Sequence, residues 1–317
     1  FKFLVVTRIP NPEFDSQEKN ELKTIVKVDP ISSYQVSKIM KWPIGATLKG
    51  LGLSKEKKQV TKAIAMSNKH PVIEGYDKAN NANGVKSKDC VLIVCEGLSA
   101  KTFAVEGISK GIGGKKGRDW FGIYPLRGKM LNTRNATPTS IKNNTVITNL
   151  MKIIGLDYGN PDRLDKLNYG KVCIMTDADV DGAHIAALLM TFFFSQMRPM
   201  IDAGHLYLAC PPLFRLTQGA NRVYCLDEAE KKYHLEKGLG GRGKIDVSRF
   251  KGLGEMDAKD LKDTTMNPKS RKLIRVTIDE DEPGETGNLV ERLMGKKPEM
   301  RFEYIQENAK FVQELDV

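Results

Sequence analysis

The apolar run Val172-Cys173-Ile174-Met175 empties directly into Thr176-Asp177-Ala178-Asp179-Val180-Asp181-Gly182-Ala183-His184. A buried strand ending in three alternating carboxylates narrows the possible folds: the strand sits inside a sheet and its acids stand at the sheet's rim. Extended chain sends alternate side chains to one side, so Asp177, Asp179 and Asp181 are expected to converge. Three anions in close quarters repel one another unless a hard cation neutralises them, and Mg²⁺ favours carboxylate oxygen in this role. Gly182 is expected to allow a sharp turn into the apolar segment that follows. The plainer reading of such a loop is a helix cap or a solvated turn. A calcium loop of the EF-hand type also starts Asp-x-Asp-x-Asp-Gly. It needs a bidentate Glu at its twelfth position, which counted from Asp177 is Leu188, so the calcium loop is excluded.

From Cys90 to about Thr217 the pattern alternates as in an α/β domain. Strands are expected at Val91–Cys95, Gly122–Leu126, Val172–Thr176 and His205–Cys210. Helices are expected from an N-cap at Ser99 to about Ser109, from Thr137-Pro138 to Ile154, and over Ala183–Pro199. Gly111–Gly117 reads as a flexible basic loop. Alternating strands and helices imply a parallel sheet with ligands at the carboxyl ends of its strands. The strand Val91–Cys95 ends in Glu96, so that edge is expected to bring Glu96 toward the aspartate loop.

On either side the texture changes. Residues 1–88 are Lys-rich, with a strand at Phe3–Val6, a turn at Asn11–Gln17, helices around Ser33–Trp42 and Lys55–Ser67, and a polar loop at Asp77–Gly84. The chain opens at Phe1 within what reads as a strand, as a piece of a longer polypeptide would. Residues 218–317 form a mixed α+β tail. Strands are expected at Val223–Leu226 and Leu273–Ile278, and helices at Glu228–Lys237, Leu289–Met294 and Glu299–Asn308. The loop Arg249-Phe250-Lys251-Gly252-Leu253-Gly254-Glu255-Met256 lies among them, and Glu280–Gly287 is an acidic turn.

With 317 residues the chain is long enough for two domains. Its net charge of +11 and pI near 9.3 favour a polyanionic partner. No apolar run is long enough to span a membrane as a helix, and no signal peptide opens the chain. The five cysteines, Cys90, Cys95, Cys173, Cys210 and Cys225, are scattered and lack zinc spacing; they read as reduced core thiols of a cytosolic or nuclear protein.

A glutamate on one strand end followed by Asp-x-Asp-x-Asp-Gly on another resembles the Toprim fold, a Rossmann-like parallel sheet flanked by helices. Three further segments are similar to type IIA DNA topoisomerases. Pro125-Leu126-Arg127-Gly128-Lys129-Met130-Leu131-Asn132 resembles their Pro-Leu-basic-Gly-Lys segment. Asn11–Gln17 resembles the stretch at the exit of their transducer domain, and Arg249–Met256 resembles their Lys-Gly-Leu-Gly loop. The resemblance divides the chain into the end of a transducer and linker (1–88), a Toprim domain (89–217) and a tail carrying the Lys-Gly-Leu-Gly loop (218–317). Residues 1 to about 170, with Glu96–Ala100 and Gly117–Gly122, look like the single-chain enzymes of eukaryotes and large DNA viruses. From Val172 onward, Gly204–Tyr207, Thr264–Pro268 and the ending at Glu314–Val317 look like the B subunits of bacterial topoisomerase IV or gyrase.

The resemblance implies an ATP-hydrolysing type II topoisomerase that cuts and reseals double-stranded DNA by transesterification. Glu96, Asp177 and Asp179 are the implied catalytic residues and hold Mg²⁺, for which Mn²⁺ or Ca²⁺ can substitute, with Asp181 as a further ligand or the holder of a second ion. Glu96 could instead act as general acid toward the 3′ oxygen. Arg127, Lys129, Asn132, His184 and Lys251 are the implied DNA contacts. Of these, Arg127, Lys129 and Lys251 also read as solvated loop residues, and His184 equally as a helix cap. The nucleophilic tyrosine follows an arginine in the family, and no Arg-Tyr pair occurs here. A winged-helix partner bearing that tyrosine and an ATP-using domain are therefore implied, within a dimer or heterotetramer. The setting is the cytoplasm for a bacterial enzyme, or the nucleus or a viral factory otherwise. The family has Asp after Glu-Gly, where this chain has Leu98. A bacterial-type primase shares the metal site but lacks the two basic-Gly segments. A non-catalytic Toprim-fold DNA-binding module is the alternative from another class.

Overall fold

The computed structural model describes residues 9, 11–14, 22–25, 32–41, 43–66, 73–109, 111–112, 116–267, 269–278 and 284–311. The strand expected at Phe3–Val6, residues 15–17 of the first turn, residues 280–283 of the acidic turn and the ending at 314–317 lie outside them. The chain divides into two compact units, Phe1–Gly52 and Leu53–Val317. In the first, Phe14 bridges Leu22 antiparallel, the Lys23 N–H donates to the Glu13 carbonyl, and helix α1 (Ser33–Met40) follows. Helix α2 (Pro43–Met66) carries the boundary.

The second unit is built on strands β1 (Val91–Glu96), β2 (Phe121–Leu126), β3 (Lys171–Met175), β4 (Leu206–Ala209) and, far along the chain, β8 (Leu273–Arg275). Their order in the sheet is β2-β1-β3-β4-β8, parallel except for β8. Alternate residues of the central strands go to opposite faces, and both faces are packed, so their interiors are apolar throughout. Leu92, Val94, Val172, Ile174 and Leu206 pack on one face with residues of helices α5 (Pro138–Asn143), α6 (Thr145–Ile154) and α7 (Val180–Gln196). Val91, Ile93, Cys95, Cys173 and Met175 pack on the other with α3 (Gly97–Ser109) and with Phe250, Leu253, Met256, Leu261 and Met266. Both faces are covered, as parallel sheets require.

A turn of helix, α4 (Gly117–Trp120), leads into β2, and α8 (Pro199–Asp202) leads toward β4. Beyond β4, strands β5 (Phe214–Gln218), β6 (Asn221–Cys225) and β7 (Asp246–Arg249) form a second, antiparallel sheet in the order β6-β5-β7, with α9 (Glu228–Lys237) inserted. Then come α10 (Ala258–Leu261), α11 (Glu285–Met294) and α12 (Pro298–Asn308). The mixed α/β architecture expected from the sequence is the one observed. No helix among the described residues is long and apolar enough to cross a membrane. Burial pushes the Cys95 and Cys173 thiols up to about 12, so both stay protonated.

Several local expectations need correction. The helix expected from Thr137 to Ile154 breaks at Asn144, whose side chain caps α6 by accepting from the Ile147 N–H. Thr137 does cap α5, with Pro138 in its first turn. Ser99 is no cap, because α3 already begins at Gly97. Gly97 has φ +75°, a conformation that only glycine adopts readily, and this lets the chain turn from β1 into α3 within one residue. The strand expected over Leu273–Ile278 stops at Arg275, and β5 and β7 were not expected.

Candidate functional site

In the order β2-β1-β3-β4 the chain leaves β1 toward β2 and β3 toward β4, in opposite directions, so a crevice opens at the carboxyl ends of β1 and β3. Register places the functional segments along that one edge. Glu96 pairs with Leu126, the residue before Arg127, and Cys95 pairs with Met175, two residues before Asp177. Asp177 continues the parity of Cys173 and Met175 toward the face on which Leu253 is buried.

The aspartates do not continue as an extended strand. Asp179 ends the non-helical stretch and caps α7: its Oδ1 accepts from the Gly182 N–H at 2.7 Å. A cap of this type contributes about 1 kcal/mol. Helix α7 therefore starts at Val180, three residues earlier than expected. The alternation that would gather three aspartates is broken after Asp179, and Asp181 sits in the first helical turn, exposed. There it pairs with Lys129 Nζ at 2.8 Å, which holds its carboxyl below the usual range. Gly182 makes no left-handed turn either. A Cβ there would stand 2.2 Å from the Asp177 carbonyl oxygen, so glycine is needed for the close approach of α7 to the end of β3.

Asp177 receives a partner from a segment far along the chain. Its Oδ1 accepts from the Leu253 N–H at 2.8 Å, and a Cβ on Gly252 would stand 2.8 Å from its Oδ2. Glu96 differs from the aspartates: its Oε2 is buried without a hydrogen-bond partner. Burial raises the Glu96 pKa, and with the negative charges of Asp177, Asp179 and Asp181 it outweighs the lowering effect of a hydrogen bond from the Asp177 backbone N–H.

Whether these residues suit a cation follows from the donors they offer. Among the described residues no three His, Cys, Asp or Glu side chains stand ready-gathered as a ligand set. Asp177 and Asp179 each accept from a backbone N–H and Asp181 pairs with Lys129, while Glu96 keeps one oxygen unpartnered. The donor set is nevertheless all carboxylate, which suits Mg²⁺. Glu96 has an orphaned buried oxygen and a raised pKa, and a divalent cation would remedy both. The residues present fit such an ion.

The basic residues line the same edge with varied engagement. Arg127 pairs with Glu74, both partners largely exposed. Lys251 is exposed while its backbone N–H donates to Glu255 Oε2. His184 is exposed one turn into α7; since Asp179 is the cap, the helix-cap reading of His184 is excluded. Asn132 is tied to the tail: its Nδ2 donates to the Met294 carbonyl at 2.8 Å, and its Oδ1 accepts from the Arg134 N–H. His184 and Asn132 share a cleft of about 780 Å³ with Lys296 and Arg301. Leu98, where the resembling family has Asp, is half exposed in the first turn of α3.

Sequence reasoning missed the contact of Gly252 and Leu253 with Asp177. The two glycines of Lys-Gly-Leu-Gly are the signal in the chain for a close backbone approach, and the approach realised is to the Asp177 carboxylate.

Parts of the chain match known protein families. Residues 71–210 match the Toprim domain, and residues 242–306 match the carboxyl terminus of the DNA gyrase B protein. The chain is 48% identical over 220 residues to the B component of DNA topoisomerase 4 from Bartonella bacilliformis, covering 69% of this chain and 32% of that protein. It is 43% identical over 217 residues to the B component of DNA gyrase from Thermotoga maritima, covering 68% and 34%. Its structure resembles the Plasmodium falciparum topoisomerase II DNA-binding, cleavage and re-ligation domain, with TM-score 0.64 and 30% identity, over 75% of this chain and 32% of that one. The chain thus spans about a third of the length of the relatives it matches.

Proposed function

The chain belongs to the type IIA DNA topoisomerases, of which it carries the Toprim region, and from that premise we propose that it supplies the metal-binding half of a site that cuts and reseals double-stranded DNA. The observation that carries this reading is the shared edge: Glu96, Asp177, Asp179 and Asp181 stand at the crevice between β1 and β3, and Glu96 Oε2 is buried there without a partner.

In this reading Glu96, Asp177 and Asp179 would hold Mg²⁺, or Mn²⁺ or Ca²⁺ in its place, with Asp181 as a further ligand. When bound, the ion supplies Lewis-acid stabilisation for charge developing at the cleaved phosphate. Asp179 keeps one oxygen on the Gly182 N–H and so fixes the start of α7 relative to the site. Leu253 holds one oxygen of Asp177 and restricts its orientation. Arg127, Lys129, His184 and Lys251 lie along the edge and contact the DNA backbone, exchanging carboxylate partners for phosphate where they have them. Asn132 keeps α11 beside the segment that follows β2. The raised Glu96 pKa also favours a second reading, in which Glu96 is general acid to the 3′ oxygen. A Glu96→Gln chain that still binds Mg²⁺ with full affinity would select it.

The nucleophilic tyrosine comes from a winged-helix partner, and ATP is used by a separate domain of the whole enzyme, a dimer or heterotetramer. The transducer end, Toprim domain and tail divide at about residues 88 and 217. The bacterial relatives favour the cytoplasm, at the chromosome. Without a cation-binding edge the same fold would serve only as a non-catalytic DNA-binding module.

The test is a supercoiled-plasmid assay with Mg²⁺ and a tyrosine-bearing partner, trapping covalent adducts with detergent. Adducts are expected only with partner and metal together. Asp179→Ser keeps a capping oxygen while removing the charge; it should fold normally and form no adduct. Full cleavage by this variant would refute the assignment of Asp179, and adducts with the chain alone would reveal another nucleophile.

A further inference from the structure

Asp260 is a fully buried carboxylate outside the acidic edge, and its partners lie on the small sheet. Arg215 Nη1 donates to its Oδ2 at 2.5 Å, and Arg222 Nη1 and the Tyr224 hydroxyl donate to its Oδ1 at 2.9 and 2.6 Å. Among these donors Arg215 reaches further. The same Nη1 lies 3.2 Å from Asp257 Oδ2, Nη2 reaches Ser248 Oγ at 3.5 Å, and the guanidinium sits 5.5 Å from the centre of the Phe250 ring.

These contacts fall at both ends of one loop. Ser248 and Phe250 lie at the entrance of the Lys-Gly-Leu-Gly segment, and Asp257 and Asp260 at its exit. Between them the loop presents Gly252 and Leu253 to Asp177. The exit is itself anchored, because α10 and the turn after it pack against α3, where a Cβ on Gly107 would meet the Ala258 carbonyl oxygen and Met266 Sδ at 3.3 Å. The entrance is anchored by the Phe250 N–H donating to the Leu213 carbonyl.

From this arrangement we infer that Arg215 is a positioning residue for the metal site: it buckles the two ends of loop 249–257 so that the Leu253 N–H holds Asp177. The inference rests on the metal-binding reading for its consequence, though not for its geometry. Lysine at this position keeps a positive charge opposite the buried Asp260, but it has no planar fork with which to reach both loop ends.

The experiment compares the chain with its Arg215→Lys variant by amide hydrogen exchange and Mg²⁺ calorimetry. Without metal, exchange at the Leu253 amide should rise in the variant while core amides such as Leu92 and Ile174 keep their protection. Mg²⁺ affinity should fall by about 2- to 30-fold, the range for coupling through a packed element. Added to Gly252→Ala, which displaces Asp177 directly, Arg215→Lys should cost little more, since both act through the same contact. If Arg215→Lys does not fold, Ser248→Ala/Asp257→Ala cuts the loop ties and spares the buried pair, with the same expected exchange signature. Unchanged exchange at Leu253, or a uniform rise at every amide, would overturn the inference. A wild-type chain that binds no Mg²⁺ would defeat the metal reading, and the Leu253 amide would still decide the role of Arg215.

Discussion

Replacing Gly252 by alanine tests the least expected contact of the site with a single methyl group. Gly252 has φ −161° and ψ 172°, extended values that alanine adopts without strain, so any effect must come from what the methyl meets. It would stand 2.8 Å from Asp177 Oδ2, 3.0 Å from Cγ and 3.3 Å from Oδ1. The carboxylate is the movable end of a side chain, so it swings away and gives up the Leu253 N–H. A hydrogen bond to a charged group contributes about 1.5–3 kcal/mol. Mg²⁺ demands near-ideal ligand geometry, so most of this difference should appear in metal affinity. At about 1.4 kcal/mol per tenfold, Mg²⁺ binding should weaken roughly ten- to a hundredfold by calorimetry. Stability should change less, because alanine lowers the entropy of the unfolded chain by about 0.4–1 kcal/mol, partly offsetting the lost hydrogen bond. Gly254 is the internal control: a Cβ there meets nothing within 4 Å, so Gly254→Ala should bind Mg²⁺ as the unaltered chain does. Equal affinity for Gly252→Ala and the unaltered chain would refute the assignment, as would an equal loss in both variants.

Two other measurements bear on the same edge. Because the folded Glu96 pKa is raised, its protonated form is the one favoured by folding; that contribution is complete below the ordinary glutamate range and lost as pH rises through the folded value. Without metal, Glu96→Gln should therefore melt higher than the unaltered chain at neutral pH, and the difference should shrink as acid protonates Glu96 in both states. Melting curves that stay parallel across this window would show that neither burial nor the neighbouring aspartates penalise the Glu96 charge. For DNA, log affinity should fall linearly with log salt concentration, and each of Arg127→Ala, Lys129→Ala and Lys251→Ala should lower the slope by about one unit. Unchanged slopes would mean that these residues serve only their partners within the chain.

The sheet and the acidic ends of its strands were readable from the chain because they depend on local order. Continuous apolar runs broken by Gly and Asp set strand lengths, and parallel pairing of β1 with β3 then brings Glu96 and Asp177 to one edge. What local order could not show was how each charged side chain is satisfied. Whether Asp179 continues a strand or caps a helix depends on where α7 begins, and that depends on Gly182 packing against the Asp177 carbonyl. The pairing of Asp181 with Lys129, of Arg127 with Glu74 and of Asn132 with Met294 joins segments that only the folded sheet and tail bring together. The contact that most shapes the acidic edge runs from Asp177 to Leu253, across 76 positions. No sequence period encodes it, because it arises when Phe250, Leu253 and Met256 bury themselves on the α3 face of the sheet and carry their loop's backbone up to the carboxylate.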